Sequence, residues 1–460
     1  MNTKERRRKM DANKMKTDSI DKLIINISLP MMISMLIQSL YNIVDSIFVS
    51  KISADAFTAL SLSFPLQSLI IAFATGIGVG FNSLLSRALG EKNKDKASLM
   101  AKNGIFVEFI NFIIFLIVGL FLIKPFFKIQ TDSETIIQYG YDYLKICCCF
   151  SFGIFGQIGF SRILQATGKT FYSMLIQLIG AFLNIILDPL LIFGIGVFPK
   201  LGVKGAAIAT VISQIVGFFF AVFFNKKINK DVDLSFKKFS IDFKAIKKIY
   251  AIGFPATIMQ ALSSFMVFGL NKILLSISLS FPIIFGVFFR LQSFAFMPVI
   301  GLTNGIIPIV SYNYGAKEKH RIIQTIKLSS IYASVIMIIF MIALQIFPQF
   351  FISFFEISPK ILNDTILAVK IISLSFIFIG FCSVISAVLQ ALGNGFLSML
   401  ISFFRQIIVL LPLAFVLSKM SKTYAVWFAF PIAEFFASIL SLILLYIVYN
   451  KKIKNIGFSK

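Results

Sequence analysis

Residues 64–92, FPLQSLIIAFATGIGVGFNSLLSRALGEK, occur again in altered form as residues 289–317, FRLQSFAFMPVIGLTNGIIPIVSYNYGAK. At this offset of 225 positions, nine of the 29 aligned residues are identical. The identical pairs are Phe64/Phe289, Leu66/Leu291, Gln67/Gln292, Ser68/Ser293, Gly76/Gly301, Gly80/Gly305, Ser86/Ser311, Gly90/Gly315 and Lys92/Lys317. The same offset also pairs Pro30 with Pro255 and Gly168 with Gly393. Because matches at one fixed spacing indicate an internal duplication, the sequence predicts two halves of one design.

The composition of the chain is that of a membrane protein. Hydrophobic residues make up 58% of its 460 residues, and the mean hydropathy is +0.89. Apolar runs of about 20 residues, the length that crosses a bilayer as a helix, recur along nearly the whole sequence. These runs are continuous rather than alternating, which favours helices over a membrane barrel. We therefore predict an all-α polytopic membrane protein.

Twelve transmembrane helices are predicted, six in each half. They cover residues 23–49, 57–86, 98–123, 137–166, 171–194, 204–225, 249–276, 282–314, 322–347, 362–391, 396–418 and 423–449. The predicted regions are a basic leader (1–22), an N-terminal lobe (23–225), a basic linker (226–248), a C-terminal lobe (249–449) and a tail (450–460). An even number of spans makes the halves parallel repeats, and transporters of this kind bind substrate between two lobes.

The net charge of +24 lies mainly in the short loops between spans, so it predicts orientation rather than nucleic-acid binding. With the N-terminus in the cytosol, 31 Lys and Arg residues fall on that side and nine on the other. We predict a multi-pass protein of the plasma (inner) membrane, with both termini cytosolic. The linker lysines are expected to be an ordinary cytosolic loop, or alternatively to bind anionic membrane lipid. We expect a monomer.

Acidic and amide side chains inside the spans are the candidate functional residues, because polar groups are costly there. In the first span, the spacing of Ser34, Gln38, Tyr41, Asn42 and Asp45 places them on one helix face. Pro30, earlier in this span, is expected to kink the helix and free a carbonyl. The alternative is that Asp45 lies near the end of its span and merely faces water.

Two further spans carry polar residues in positions where helices pack closely. Asn184 and Asp188 are four residues apart, and therefore on one face, in the fifth span. Thr210 ends a run of small residues, 205–210, that favours close helix approach in the sixth span. Asp188, like Asp45, has the alternative of facing water at a span end.

The remaining intramembrane groups suggest no clear site. Glu108 has only Asn111 as a polar neighbour in sequence, and Glu434 belongs to the other half. Arg290 and Arg405 are expected to be either counter-charges or substrate contacts. Residues 147–149 are three cysteines that we interpret as small apolar filler.

Several motifs together resemble those of the MATE (multidrug and toxic compound extrusion) family, over essentially the full chain. They are YNIVDSIFV (41–49), NIILDP (184–189), GAAIAT (205–210), RLQS (290–293) and PIVSYNYGAK (308–317). The resemblance implies two six-helix lobes around a central cavity. It further implies antiport of organic cations or other lipophilic drugs against H+ or Na+.

In the branch that the chain most resembles, the coupling cation binds in the N-terminal lobe. Matched motif by motif, that site falls on Asp45, Asn184, Asp188 and Thr210, with the helix bend at Pro30. Gln38, Tyr41, Asn42 and Arg290 are candidates for the substrate cavity. Another branch carries a glutamate in the seventh span, where this chain has only Gln260 as a comparable group.

The predicted chemistry is binding rather than catalysis. Two carboxylates in a dry pocket cannot both stay ionised without a proton or a cation, and amide and hydroxyl oxygens suit a hard ion such as Na+. The four site residues are metal ligands only if Na+ is the coupling ion, and no cofactor is expected. The alternative function is a flippase for lipid-linked oligosaccharides. An ATP-driven pump or membrane enzyme is disfavoured, because the sequence has neither a phosphate-binding loop nor a His pair.

Overall fold

The computed structural model describes residues 15–235, 239–355, 357–420 and 423–456, apart from the side chains of Asn42, Ile43, Ser46, Ser50 and Thr423. Within these residues the chain is helical and contains no strand. Ten helices are long and apolar enough to cross a membrane, and two bent helix pairs raise the number to twelve. The predicted fold class is therefore confirmed.

Each lobe contains six spans. The N-terminal helices are α1 (Ile20–Ser50), α2 (Ala54–Gly90), α3 (Lys94–Phe121), α4 (Glu134–Cys149 and Phe152–Ala166), α5 (Thr170–Phe193) and α6 (Val203–Ile228). The C-terminal helices are α7 (Phe243–Leu275), α8 (Phe281–Gly315), α9 (Lys319–Ile346), α10 (Pro359–Ser373 and Phe376–Ala391), α11 (Gly395–Ser418) and α12 (Tyr424–Ile453). Short helices at Ile123–Lys128 and Pro348–Ile352 precede α4 and α10.

The two lobes repeat each other in fine detail. The break within α4 bends the chain by 44°, and the break within α10 bends it by 45°. Lys92 and Lys317, each in the loop after a glycine-rich helix, adopt φ of 58° and 59°, the left-handed region that most residues avoid. Gly168 and Gly393 adopt φ of 75° and 79°. All of these positions are 225 residues apart, so the repeat seen in the sequence is a repeat of structure.

The repeated glycines lie where the two lobes touch. A Cβ atom at Gly76 would be 2.3 Å from the Thr257 hydroxyl, and one at Gly301 would be 2.3 Å from the Cα of Met32. Thr257 and Met32 are themselves 225 residues apart, so each contact is the counterpart of the other. The same reciprocity relates Gly80/Gly253 to Gly305/Ser28, and Gly90/Tyr312 to Gly315/Arg87. Only residues without a side chain allow backbones to approach this closely.

Polar contacts reinforce the glycine contacts between the lobes. The Ser83 and Ser311 hydroxyls are 3.1 Å apart, and the Arg87 guanidinium lies 4.6 Å from the centre of the Tyr314 ring. These contacts lie toward the end of the bundle that carries the loops of Lys92 and Lys317, which we call the loop end. Gln260 on α7 donates a hydrogen bond of 2.7 Å to Thr75 on α2.

Beyond this bond, away from the loop end, α2 and α7 enclose a cavity of about 360 Å³. Its lining residues are Pro65, Ser68, Leu69, Ala72, Ala261, Ser264, Phe265 and Phe268. Most of these side chains are apolar. The lobes thus meet at the loop end and leave an apolar cavity between them farther along the bundle.

The linker between the lobes is attached to the N-terminal lobe through its acidic residues rather than its lysines. Asp231 pairs with Lys169 at 2.5 Å, and Asp233 pairs with Lys102 at 3.3 Å. The backbone N–H of Asp242, which caps α7, donates to the Asn103 side chain at 3.0 Å. These bonds hold the start of α7 against α3.

Adding one methyl group at a repeated glycine should separate the lobes. Gly80→Ala would place a Cβ 2.5 Å from the Ile249 carbonyl oxygen, and overpacking of this kind costs about 1–3 kcal/mol. Gly286→Ala is the matched control, since nothing lies within 4 Å of its Cβ position and Ala favours a helix by about 1 kcal/mol. The apparent unfolding temperature of the purified protein should fall for Gly80→Ala and hold or rise for Gly286→Ala. Equal shifts would contradict the proposed role of the glycine contact.

Candidate functional site

Asp45 on α1 and Asp188 on α5 lie together inside the N-terminal lobe. Their carboxyl groups are in hydrogen-bonding contact with each other, and Asp188 is completely buried. One oxygen of each, Asp45 Oδ1 and Asp188 Oδ2, is buried without a hydrogen-bond partner. A hydrogen bond between two carboxyl groups requires a proton, and two ionised carboxylates at this separation repel each other. The pair therefore needs a proton or a cation.

Asn184 and Thr210 complete the cluster. The Asn184 amide nitrogen donates to Asp188 Oδ1 at 3.3 Å and to Thr210 Oγ1 at 3.5 Å. Asn184 and Asp188 face the same way because they are four residues apart on α5. Thr210 comes close because α6 begins with small residues: a Cβ at Gly205 would be 2.4 Å from the Leu191 carbonyl oxygen. The structure thus brings together all four residues predicted for the cation site.

The unpartnered oxygens of this cluster are suited to a cation. Because the Asn184 amide nitrogen is used in both hydrogen bonds, Asn184 Oδ1 remains buried and unpaired, as do Asp45 Oδ1 and Asp188 Oδ2. Among the described residues, no Lys or Arg forms an ion pair with either aspartate. Oxygen atoms of this kind are the ligands that hard cations prefer, and the same carboxylates can hold a proton instead.

The sequence did not reveal the residues of α2 and α4 that border the site. Tyr143 on α4 is buried, accepts a hydrogen bond of 3.0 Å from Gln67 on α2, and interacts electrostatically with Asp45 and Asp188. Tyr143 is one of three tyrosines at alternate positions near the start of α4, and its sequence context did not distinguish it from the other two. Gln67 was identified only as part of the repeat.

A polar cavity of about 60 Å³ adjoins the cluster. Gln38 and Tyr41, both predicted as cavity residues, line it together with Asn184 and Thr210. The lining residues that the sequence analysis missed are Gln157, Gln177, Ser213 and Gln214, from α4, α5 and α6. Since a water molecule needs about 10–15 Å³, the cavity has room for several waters beside the carboxylates. Amides inside otherwise apolar spans were the available sequence signal.

Pro30 affects the helix that carries Asp45. Proline has no N–H, so the carbonyl of Asn26 loses its helical donor. The Thr170 hydroxyl on α5 donates to this carbonyl at 3.5 Å, while the Ser34 hydroxyl donates to the Pro30 carbonyl at 2.9 Å. A freed carbonyl is thus found as predicted, and it bonds to a neighbouring helix.

The other predicted cavity residues lie elsewhere or outside the description. Arg290 on α8 is exposed, and its guanidinium lies 6.0 Å from the centre of the Phe355 ring in the C-terminal lobe. It does not line either of the cavities described above. The backbone of Asn42 lies in α1, but its side chain is outside the described residues.

The C-terminal lobe carries its own ion pair at the position that corresponds to the polar cavity. Arg405 pairs with Glu434 at 3.1 Å. The positions 225 residues earlier are Gly180, which lines the polar cavity, and Ala209, which precedes Thr210. The C-terminal lobe therefore has a covalently attached cation where the N-terminal lobe has open polar space.

Two parallel six-helix lobes, with a buried carboxylate pair inside one of them, define a secondary transporter of the membrane. A model of the MatE family matches residues 30–190 and 252–416. Since these segments make up more than half of the chain, the protein belongs to the MatE family. The resemblance inferred from the motifs is thus confirmed.

Proteins similar to this chain are transporters and exporters. The multidrug export protein MepA of Staphylococcus haemolyticus is 28% identical over 94% of this chain and 95% of its own length. A FAD transporter of Shewanella oneidensis is 28% identical over 90% of this chain and 92% of its own. The outward-facing structure of a multidrug resistance MATE family transporter matches with a TM-score of 0.91 and 25% identity, covering 96% of this chain and 98% of that one.

Cations should stabilise the folded protein through the carboxylate pair. Replacing choline chloride by NaCl at about pH 8, or lowering the pH to about 5.5, should raise the apparent unfolding temperature, since either compensates one buried charge. Asp188→Asn should abolish this response. Glu434→Gln should retain it, although its starting temperature is lower because Arg405 loses its partner. A response that survives Asp188→Asn would locate the stabilising cation elsewhere.

Proposed function

We propose that the protein is a secondary active multidrug efflux transporter that exchanges lipophilic or cationic compounds for H+ or Na+ by alternating access. The observation that carries this proposal is the buried Asp45–Asp188 pair, with unpaired oxygens of Asp45, Asn184 and Asp188 around it. Such a pair binds a proton or Na+ favourably and is costly when left uncompensated. An ion gradient across the membrane can therefore change its charge state and drive a conformational change.

The conformational change involves the helices that carry the pair. Asp45 and Asp188 lie on different helices, so an added positive charge draws α1 and α5 together and its loss drives them apart. Pro30 weakens the hydrogen bonding of α1 between Asp45 and the loop end. A bend at Pro30 would then reshape the polar cavity that Gln38 and Tyr41 line. Drug release would follow from this change in shape.

The apolar cavity between α2 and α7 is the proposed path for the drug. Phe265 and Phe268 are 67% and 72% exposed, and aromatic faces attract organic cations. Similar proteins are named for multidrug export and for FAD transport, which suggests that the shared fold carries chemically different compounds. Small organic molecules are therefore the proposed substrates.

The flippase alternative is not favoured. A pyrophosphate group would require basic side chains in the cavity between the lobes. The residues that line this cavity include no Lys or Arg, and Arg405 is already paired with Glu434. The loop end is proposed to face the cytosol, because most of the Lys and Arg residues lie there. We also propose a monomer in the plasma membrane.

Loss of either aspartate should uncouple transport from the gradient. In vesicles with separately imposed Na+ and proton gradients, Asp45→Asn and Asp188→Asn should insert and fold normally but lose gradient-driven ethidium efflux. Glu434→Gln, a buried carboxyl of the C-terminal lobe, should reduce efflux much less. The gradient that drives the unmodified protein identifies the coupling ion. Normal efflux by both aspartate variants would show that coupling occurs at another site.

Both termini should lie on the cytosolic side. A reporter that is active only in the cytosol, fused after Lys460, should be active, and a reporter that is active only outside should be silent. The reason is the even number of spans together with the excess of Lys and Arg in the loops on that side. Activity of the external reporter would contradict both the orientation and the twelve-span arrangement.

A further inference from the structure

Glu108 on α3 is a buried carboxyl group that the proposed transport cycle does not use. Only 2% of its surface is exposed, and neither of its oxygens has a hydrogen-bond partner. Asn111, three residues further along the same helix, lies beside it, is 1% exposed, and has no partner for its amide nitrogen or oxygen. Two adjacent, fully buried polar side chains are thus unpaired in one place.

The surroundings of Glu108 contain one cation. Gly159 on α4 leaves room for the carboxyl, since a Cβ there would be 3.3 Å from Glu108 Cγ. The charged or titratable groups that interact with Glu108 are Arg162 from α4 and Tyr250 from α7. The facing segment of α2, residues 77–86, carries no charge.

Other charged residues of the helices around Glu108 are bonded elsewhere. Lys102 on α3 pairs with Asp233 at 3.3 Å. In the first half of α4, Asp142 pairs with Lys204 at 3.4 Å, and Lys145 donates to Tyr141 at 3.0 Å. Arg162 is thus the basic group placed to respond to the charge of Glu108.

Arg162 is bonded across the lobe contact instead of to Glu108. Its Nη1 donates to Gln165 at 3.0 Å and to Asn304 on α8 at 3.1 Å. Its aliphatic stem fits against Gly78, where a Cβ would be 2.8 Å from Arg162 Cγ. Among the described residues, no ion pair joins Arg162 to Glu108. The guanidinium therefore connects the N-terminal lobe to the C-terminal lobe.

Packing alone does not require this polar cluster. The positions related to Glu108, Arg162 and Asn304 by the 225-residue repeat are Ala333, Ala387 and Val79. All three are buried apolar residues. The second lobe thus fills the same places without any charge, which points to a role for the cluster beyond stability.

A buried carboxylate without hydrogen bonds is strongly unfavourable, whereas a neutral carboxyl is tolerated. In the arrangement described, with Arg162 bonded to Asn304, Glu108 is therefore neutral, and Asn111 Oδ1 is the adjacent acceptor for its proton. When Glu108 loses that proton, its negative charge requires a partner, and Arg162 is the nearest cation. Arg162 has to leave Asn304 to provide a full ion pair.

We propose that Glu108 is a proton-binding site separate from the aspartate pair, and that loss of its proton draws Arg162 from Asn304 and loosens the lobe contact. Protonation returns Arg162 to Asn304 and favours the closed loop end. The inference rests on the proposed function only in assuming a second arrangement, in which the lobes are apart at this end.

Distances between spin labels at the loop end test this proposal. Lys94→Cys and His320→Cys place labels at exposed positions in opposite lobes, after Cys147, Cys148, Cys149 and Cys382 are replaced by alanine. Asp45→Asn and Asp188→Asn are included so that the aspartate pair no longer titrates. Raising the pH from about 5.5 to 8.5 should increase the ratio of long to short distances at least about fivefold, the lower end of usual coupling.

Two variants separate the proposal from a general pH effect. Glu108→Gln is similar in shape and always neutral, so the distance should stay short at both pH values. Glu434→Gln is the matched control in the other lobe and should keep the response. Asn304→Val should give long distances at both pH values, because Arg162 has lost its partner across the lobes.

Three outcomes would overturn the proposal. They are an unchanged pH response in Glu108→Gln, a distance independent of pH in the parent, and a normal pH response in Asn304→Val. Monodisperse elution and unchanged helical content establish that each variant is folded. Efflux plays no part in this measurement, so a failure of drug export and a failure of this proposal are distinguishable.

Discussion

The close approach of the two lobes depends on backbone contacts that only glycine permits. At Gly76, Gly80 and Gly90, and at their counterparts in α8, a single Cβ would lie within about 2.5 Å of a neighbouring helix. Helices in a membrane gain little from the hydrophobic effect between them, so close packing has to supply the attraction. The contact is reciprocal because both lobes follow one design. Two interfaces therefore close or open together, and the lobes behave as two bodies around one axis.

The lobes differ where their chemistry differs. Around Gly180 the N-terminal lobe has open polar space next to the unpaired oxygens of Asp45 and Asp188, whereas the C-terminal lobe has Arg405 bonded to Glu434. An attached guanidinium cannot leave, so the C-terminal ion pair is insensitive to the ion gradient. The N-terminal pair has to take its positive charge from outside the chain. This asymmetry supports ion coupling through one lobe while both lobes keep the same frame.

The sequence predicted those features that depend on spacing along one helix or on the repeat. The span count, the 225-residue register and the common face of Asn184 and Asp188 are of this kind. It could not predict contacts that arise only from packing between helices, such as Gln67 with Tyr143 or Arg162 with Asn304. Asp45 and Asp188 were placed together by the family resemblance, because helical periodicity does not state which helices are neighbours.

α1 connects the candidate cation site to the lobe contact. Ser28 and Met32 pack against the glycines of α8, Pro30 lies between them, and Asp45 follows about 20 Å further along the helix at 1.5 Å per residue. A force on Asp45 therefore acts on a helix whose weakest hydrogen bonding lies at the lobe contact itself. The corresponding helix α7 has Pro255 between Gly253 and Thr257 in the same contact, but it carries no acidic residue. Only α1 can thus convert a change of charge inside one lobe into a change of fit between the two.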